Sequence, residues 1–148
     1  MINYRQKFQK QLAQGQKFER MALKYFPHET YEMTPKGCKT HDFTIRHEGN
    51  DIRVEVKSEI LAFHTGNLAI EYECNGKPSG INATLADWWV HFIVDEENGN
   101  HEVFKIPVED LKKMVESGQY RSVSGGDRYR SKMYIIPKWC LSKFFIPL

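Results

Sequence analysis

The chain has 148 residues, of which 41% are hydrophobic and 27% charged, with a net charge of +2. That balance fits one ordinary globular domain spanning 1–148 and excludes a fibrous, low-complexity or strongly basic chain. No apolar run approaches bilayer length, and "MINYRQKFQK" lacks the apolar core of a secretory signal, so a cytosolic protein without a membrane partner is expected.

Residues 3–26 predict an amphipathic helix, with Tyr4, Phe8, Leu12, Phe18, Ala22 and Tyr25 on one stripe, Glu19 at its edge and Pro27 ending it. "TYEM" predicts a short strand and "TPKGCK" a turn. Residues 42–47 and 52–58 alternate in polarity around "EGND", the pattern of a hairpin. "NLAIEYE" predicts a third strand, "CNGKPSGIN" a loop, "ATLADWW" a turn or two of helix, and "WVHFIVD" and "HEVFKIP" two strands joined at "ENGN". Pro107 then opens a helix over "VEDLKKMVESG". "SKMYIIP" is a late strand and "KWCLSKFF" a short closing helix. The chain is therefore expected to be α+β, a central mixed sheet flanked by helices.

The hairpin carries the chemistry. Alternation sends Ile52, Val54 and Val56 to one face and Arg53, Glu55 and Lys57 to the other, with Phe43 and Ile45 on the apolar side and Asp42 and Thr44 on the polar one. Two readings stand: a solvated hairpin face, or a site where Asp42, Glu55 and Lys57 converge. Adjacent carboxylates repel unless a cation lies between them. Carboxylate oxygens suit Mg²⁺, which keeps waters and shares its remaining positions with substrate phosphate. A lysine on that face would orient the attacking water or steady charge on the phosphate.

With Asp42, the Glu55-Val56-Lys57 triplet and an acid on the first helix, the first half of the chain resembles the PD-(D/E)XK nuclease superfamily. The resemblance implies an αβββαβ core of the restriction-endonuclease type. It also implies Asp42 and Glu55 as ligands of Mg²⁺ (or Mn²⁺), the Val56 carbonyl as a further ligand, Lys57 as the catalytic lysine and Glu19 as the first-helix acid. The segment after the motif is similar to that of small phage and prokaryotic members. A DNA endonuclease, commonly a homodimer, is what such a member would be, with a Holliday-junction resolvase or a non-catalytic binding module as alternatives. His41 stands where the signature has proline. The QxxxY pattern of the exonuclease branch is missing, a further strand being expected directly after the hairpin.

Around this core Glu71, sharing a face with Glu73, is the candidate for an additional metal ligand, on a strand that could neighbour Glu55. Ser79 and Asn82, and with them Thr84 and Asp87, either contact phosphates or build a turn. Lys10, Lys17 and Lys24, spaced by seven, form one helical stripe and a candidate DNA track, with Arg128 and Arg130 of "RYRSK" as a second arm. One of the adjacent Trp88 and Trp89 is expected in the core, and His41 and His64 are the histidines placed to approach the site. The six histidines and the dispersed Cys38, Cys74 and Cys140 show no zinc or disulfide spacing, and no nucleotide-binding glycine motif occurs.

Overall fold

The computed structural model describes residues 3–35, 37, 40–126, 128 and 130–147; within the first helix, residues 4, 7, 8 and 11 are described by backbone alone. The expected Tyr4 and Phe8 contacts, and half of the "TPKGCK" turn, thus lie outside the described residues.

Helix α1 (Tyr4–Ala22) opens on a capping box: Asn3 Oδ1 accepts the Gln6 amide at 2.9 Å, and Gln6 Oε1 accepts the Asn3 amide at 3.2 Å. It tightens into a 3₁₀ turn at Leu23–Tyr25 just ahead of Pro27. Its C-terminal half is anchored in the core. Phe18 and Ala22 are buried with Phe26 behind them, Phe18 packs on Phe92 at 4.7 Å, and Leu12 is already out in solvent.

Strands β1 (Thr30–Met33), β2 (Phe43–His47) and β3 (Asn50–Glu59) form an antiparallel meander. The β2–β3 hairpin turns on Glu48 and Gly49 alone. Their φ values of 50° and 81° are the paired left-handed conformations of a type I′ turn, which matches the twist of the strands it joins. The chain then leaves the sheet through α2 (Leu61–Thr65), β4 (Asn67–Cys74), β5 (Lys77–Pro78) and a 3₁₀ turn at Gly80–Asn82. It returns as β6 (Trp88–Asp95), parallel to β3, because a parallel neighbour requires such a crossover. β7 (Asn100–Pro107), α3 (Val108–Glu116), β8 (Ser122–Gly125), β9 (Ser131–Pro137) and a 3₁₀ segment at Lys138–Phe144 complete the chain.

The result is mixed α+β, as expected: one five-stranded mixed sheet, β1-β2-β3-β6-β7, and a four-stranded sheet, β5-β4-β9-β8. Around the five-stranded sheet the elements follow the order α1, β1, β2, β3, α2, β6, with β4 and β5 inserted before β6. Both faces of that sheet are covered. Phe43, Ile45, Val54, Val90, Phe92 and Val103 pack toward α1. On the opposite face Trp89, Ile93, Phe104 and Ile106 meet Leu68, Ile70 and Ile136 of the second sheet. Trp88 and Trp89 thus serve opposite cores, Trp89 being 1% exposed. Among the described residues no helix is long and apolar enough to cross a membrane.

Four expectations are corrected. "ATLADWW" is irregular, without helix, until β6 begins, because side chains there bond to backbone instead of permitting a helix: Thr84 donates to the Thr40 carbonyl and accepts the Ala86 amide, and Asp87 accepts the Arg53 amide. The strand expected directly after the hairpin is preceded by five-residue α2, which Gly66 ends at φ 74°. That strand, β4, belongs to the second sheet and is not paired with β3. Its bulge between Glu71 and Glu73 breaks their shared alternation, and Glu73 pairs with Lys132 at 3.2 Å.

Candidate functional site

The hairpin register decides whether the acids meet. Phe43 lies opposite Val54, so one step further places Asp42 beside Glu55 on the same face, with Lys57 two residues on. Pairing stops at this point. The Asp42 amide donates to the Val54 carbonyl at 2.9 Å, and its side chain takes over where strand backbone would have continued, Oδ2 accepting the Val56 amide at 2.7 Å. Val56 therefore touches Asp42 through its N–H.

Glu55 is 8% exposed, pressed into the face that carries Trp89. Lys57 Nζ stands 3.1 Å from Glu55 Oε1 and 5.7 Å above the Trp89 ring. Asp42, Glu55, Lys57 and Glu71 line one cavity of about 600 Å³, together with His41 and Ser79. Glu71 thus reaches the site from the facing sheet. Gly80 is what allows this. At φ 50° it lies so close to the β4 backbone that an added Cβ would sit 2.1 Å from the Glu71 carbonyl oxygen.

Three carboxyl groups are held above their ordinary values here. Burial pushes Glu55 up to about 7, the Lys57 ammonium opposing and the Asp42 charge assisting. Burial likewise raises Asp42, against the Val56 hydrogen bond and Lys57. Glu19, reaching from α1, is raised to about 7 by burial, by the Asp42 charge, by a hydrogen bond with Asp42 and by Glu55. Glu19 is therefore only partly ionised near neutral pH, and when protonated it donates to Asp42. His41 lies between the hydroxyls of Thr40 and Thr44, at 2.7 and 2.9 Å, and burial and then Arg53 hold its pKa down.

On the other side of Asp42 a cavity of about 650 Å³ is lined by Leu12, Gln16, Glu19 and Arg20 of α1, with His41 and Asp42 common to both cavities. The two adjoin at these residues and form the groove beside the acids. No group of three or more His, Cys, Asp or Glu among the described residues is preassembled to hold a metal ion. The donor set is instead one buried carboxylate, Glu55, and one half-buried, Asp42, facing open volume, a number that Mg²⁺ takes when substrate phosphate and water supply the rest.

The expected DNA-contacting residues divide. Ser79 lines the cavity, its buried hydroxyl without a hydrogen-bond partner among the described residues. The Arg130 carbonyl accepts the amide of Asn75, another lining residue, which sets the backbone of the exposed Arg130 at the rim; Arg128, also exposed, is not among the lining residues. Asn82 is exposed and builds the 3₁₀ turn through its amide to the Ser79 carbonyl. The stripe of Lys10, Lys17 and Lys24 is not at the site. Lys17 precedes Glu19 by two residues, about 200° around a helix, and the stripe instead faces His101 on β7, whose pKa is held down by burial and then by Lys24 and Lys17. His64 meets Phe63 edge-on in α2 and does not line the cavity that holds the acids.

Arg20, Glu59 and His91 were missed by sequence reasoning. Glu59 was within reach, since Glu55, Lys57 and Glu59 alternate onto one face; His91 required the parallel register that sets it opposite Lys57. No known family model, curated protein or solved structure matches the chain, so the site's own geometry is what bears on its function.

Proposed function

We propose that the chain is a metal-dependent endodeoxyribonuclease that hydrolyses phosphodiester bonds in DNA. The observation that carries this reading is the gathering of Asp42, Glu55 and Lys57 on one cavity wall, with Glu19 hydrogen-bonded behind Asp42. Asp42 and Glu55 would hold Mg²⁺ or Mn²⁺, with Glu71 the nearest further carboxylate. Such an ion, when bound, lowers the pKa of a coordinated water and offsets charge on the phosphate. The residues of the chain do the remaining work. Lys57, fixed by Glu55 on one side and the Trp89 face on the other, points a positive charge into the cavity where a phosphate oxygen or attacking water would lie. Glu19, when protonated, donates to Asp42 and limits the charge that the pair must bear before substrate enters. Arg20, beside the cavity under α1, and Arg130, at the rim of the other cavity, would supply phosphate contacts, with Arg128 close by in sequence.

The test incubates plasmid, linear duplex and four-way-junction DNA with Mg²⁺, with Mn²⁺ and with chelator. Cleavage that needs the metal and is lost in Lys57→Ala and Asp42→Asn, while DNA binding persists, is the expected result. Preference for the junction would make the enzyme a resolvase, and two coordinated nicks would point to a homodimer. A second reading, a DNA-binding module without turnover, is favoured by one observation: Asp42 already spends an oxygen on the Val56 amide, a purely structural use. Wild-type protein that binds DNA yet cuts no substrate with either metal would establish that reading instead.

A further inference from the structure

The cavity under α1 is lined by two unlike sets of side chains. Glu19, Arg20, His41 and Asp42 are polar, and the last two are shared with the cavity that holds Glu55 and Lys57. Leu12, Met33 and Pro35 are apolar, and they wall the space from α1 and from the end of β1 and the residues after it. Leu12, Gln16 and Arg20 follow one another every fourth residue, so they form a single stripe along the helix, about 12 Å from first to last. All three are exposed, Leu12 at 43% despite being apolar, and so is Pro35. The side chains of Gln16 and Arg20 make no hydrogen bond or ion pair among the described residues. A space of about 650 Å³ is thus open to solutes, with charge toward the acids, apolar surface away from them and an unspent carboxamide between.

We propose that this cavity holds one unpaired nucleotide beside the cut phosphate, and that the substrate is therefore single-stranded or frayed DNA in preference to intact duplex. The inference rests on the nuclease reading, which puts a phosphate at Asp42, where the two cavities adjoin. Arg20 then meets the neighbouring phosphate, and the attached base lies toward Leu12, Met33 and Pro35. Apolar side chains pack against the face of any base, and the Gln16 carboxamide, donor and acceptor in one group, meets the edge of any base. Such a contact set is tolerant of sequence, as single-strand sites are. The volume is that of a small-ligand site, and its walls on two sides admit one strand, not two. A paired base would have to leave its stack to enter, at a cost that a single strand does not bear.

Fluorescence anisotropy on the Lys57→Ala protein in Mg²⁺ tests this without cleavage, comparing a labelled oligo-dT strand with a blunt hairpin duplex of equal phosphate count. The strand should bind at least about tenfold more tightly, the unpairing cost appearing as affinity. Leu12→Ala and Gln16→Ala, added singly to that protein, should each lower strand affinity about three- to tenfold, as loss of an apolar contact or a hydrogen bond predicts, and leave duplex affinity unchanged. Both positions are exposed, and thermal melts confirm that the variants fold. Equal binding of strand and duplex, absence of saturable binding, or strand affinity unchanged in either folded variant would overturn the proposal. So would wild-type protein that cuts closed duplex as fast as a splayed-end duplex, with the nuclease reading intact. A strand preference that falls in both variants, in a protein whose wild type cuts nothing, would instead sink the nuclease reading and leave the nucleotide site standing.

Discussion

Replacing Glu55 by glutamine should make the protein more stable at alkaline pH. In the fold this carboxyl is raised by burial to about 7 from an ordinary 4.5. Between those values the folded chain holds a proton that the unfolded chain has released, so stability is fullest below the lower value and falls as pH rises through the upper one. At about 1.4 kcal/mol per pH unit, the ionised group costs about 3 kcal/mol of stability once pH exceeds 8. Glutamine keeps the shape and never ionises. Glu55→Gln should therefore match wild type near pH 4.5 and exceed it by about 3 kcal/mol at pH 8.5, a rise in melting temperature of roughly 6–12 °C for a chain of this size. Thermal melts from pH 4.5 to 9 in chelator measure this directly. Two pH profiles that run parallel, or a variant less stable than wild type at pH 8.5, would refute the account of a carboxylate buried at a cost.

Three further outcomes follow from the same geometry. Mg²⁺ at millimolar concentration should raise the melting temperature of wild type at pH 8.5 and do so much less for Glu55→Gln, as binding to the folded state alone requires; equal shifts in scanning calorimetry would place the ion elsewhere. Gly80→Ala should cost on the order of 2 kcal/mol in urea unfolding, since the left-handed backbone and the 2.1 Å approach to the Glu71 carbonyl both disfavour a Cβ, whereas Glu48→Asn at the type I′ turn should gain a few tenths to about 1 kcal/mol. In DNA-binding titrations Arg20→Ala, at the groove, should weaken affinity and flatten the salt dependence, while Lys17→Ala together with Lys24→Ala leaves both close to wild type.

The meeting of Asp42, Glu55 and Lys57 was legible because it is local. Two strands of alternating polarity, a two-residue turn and the parity of their register place those side chains together without reference to the rest of the chain. Glu19 was legible as an acid at the edge of an apolar stripe, and α1 does carry it to Asp42. What sequence did not disclose depends on distant pairing. The burial of Glu55 needs the second sheet, which β4 and β9 build across some sixty residues, and the hairpin alone would have left that face wet. The side of α1 on which lysines lie relative to Glu19 follows from helical spacing, yet the spacing of seven identifies a stripe without saying what it faces. His91 is a further case: nothing near it in sequence pairs with it except Trp89, and its partner Glu59 arrives through the parallel β3–β6 contact.

Asp42 does two jobs with two oxygens, closing the end of a strand ladder while facing the groove. A library screened only for soluble, folded protein should already reject aliphatic residues at position 42 and accept asparagine, whose carbonyl can still receive the Val56 amide. An aspartate retained there through drift would accordingly be weak testimony to activity, and Lys57, which no backbone group depends upon, is the position whose variation would record whether turnover was ever under selection.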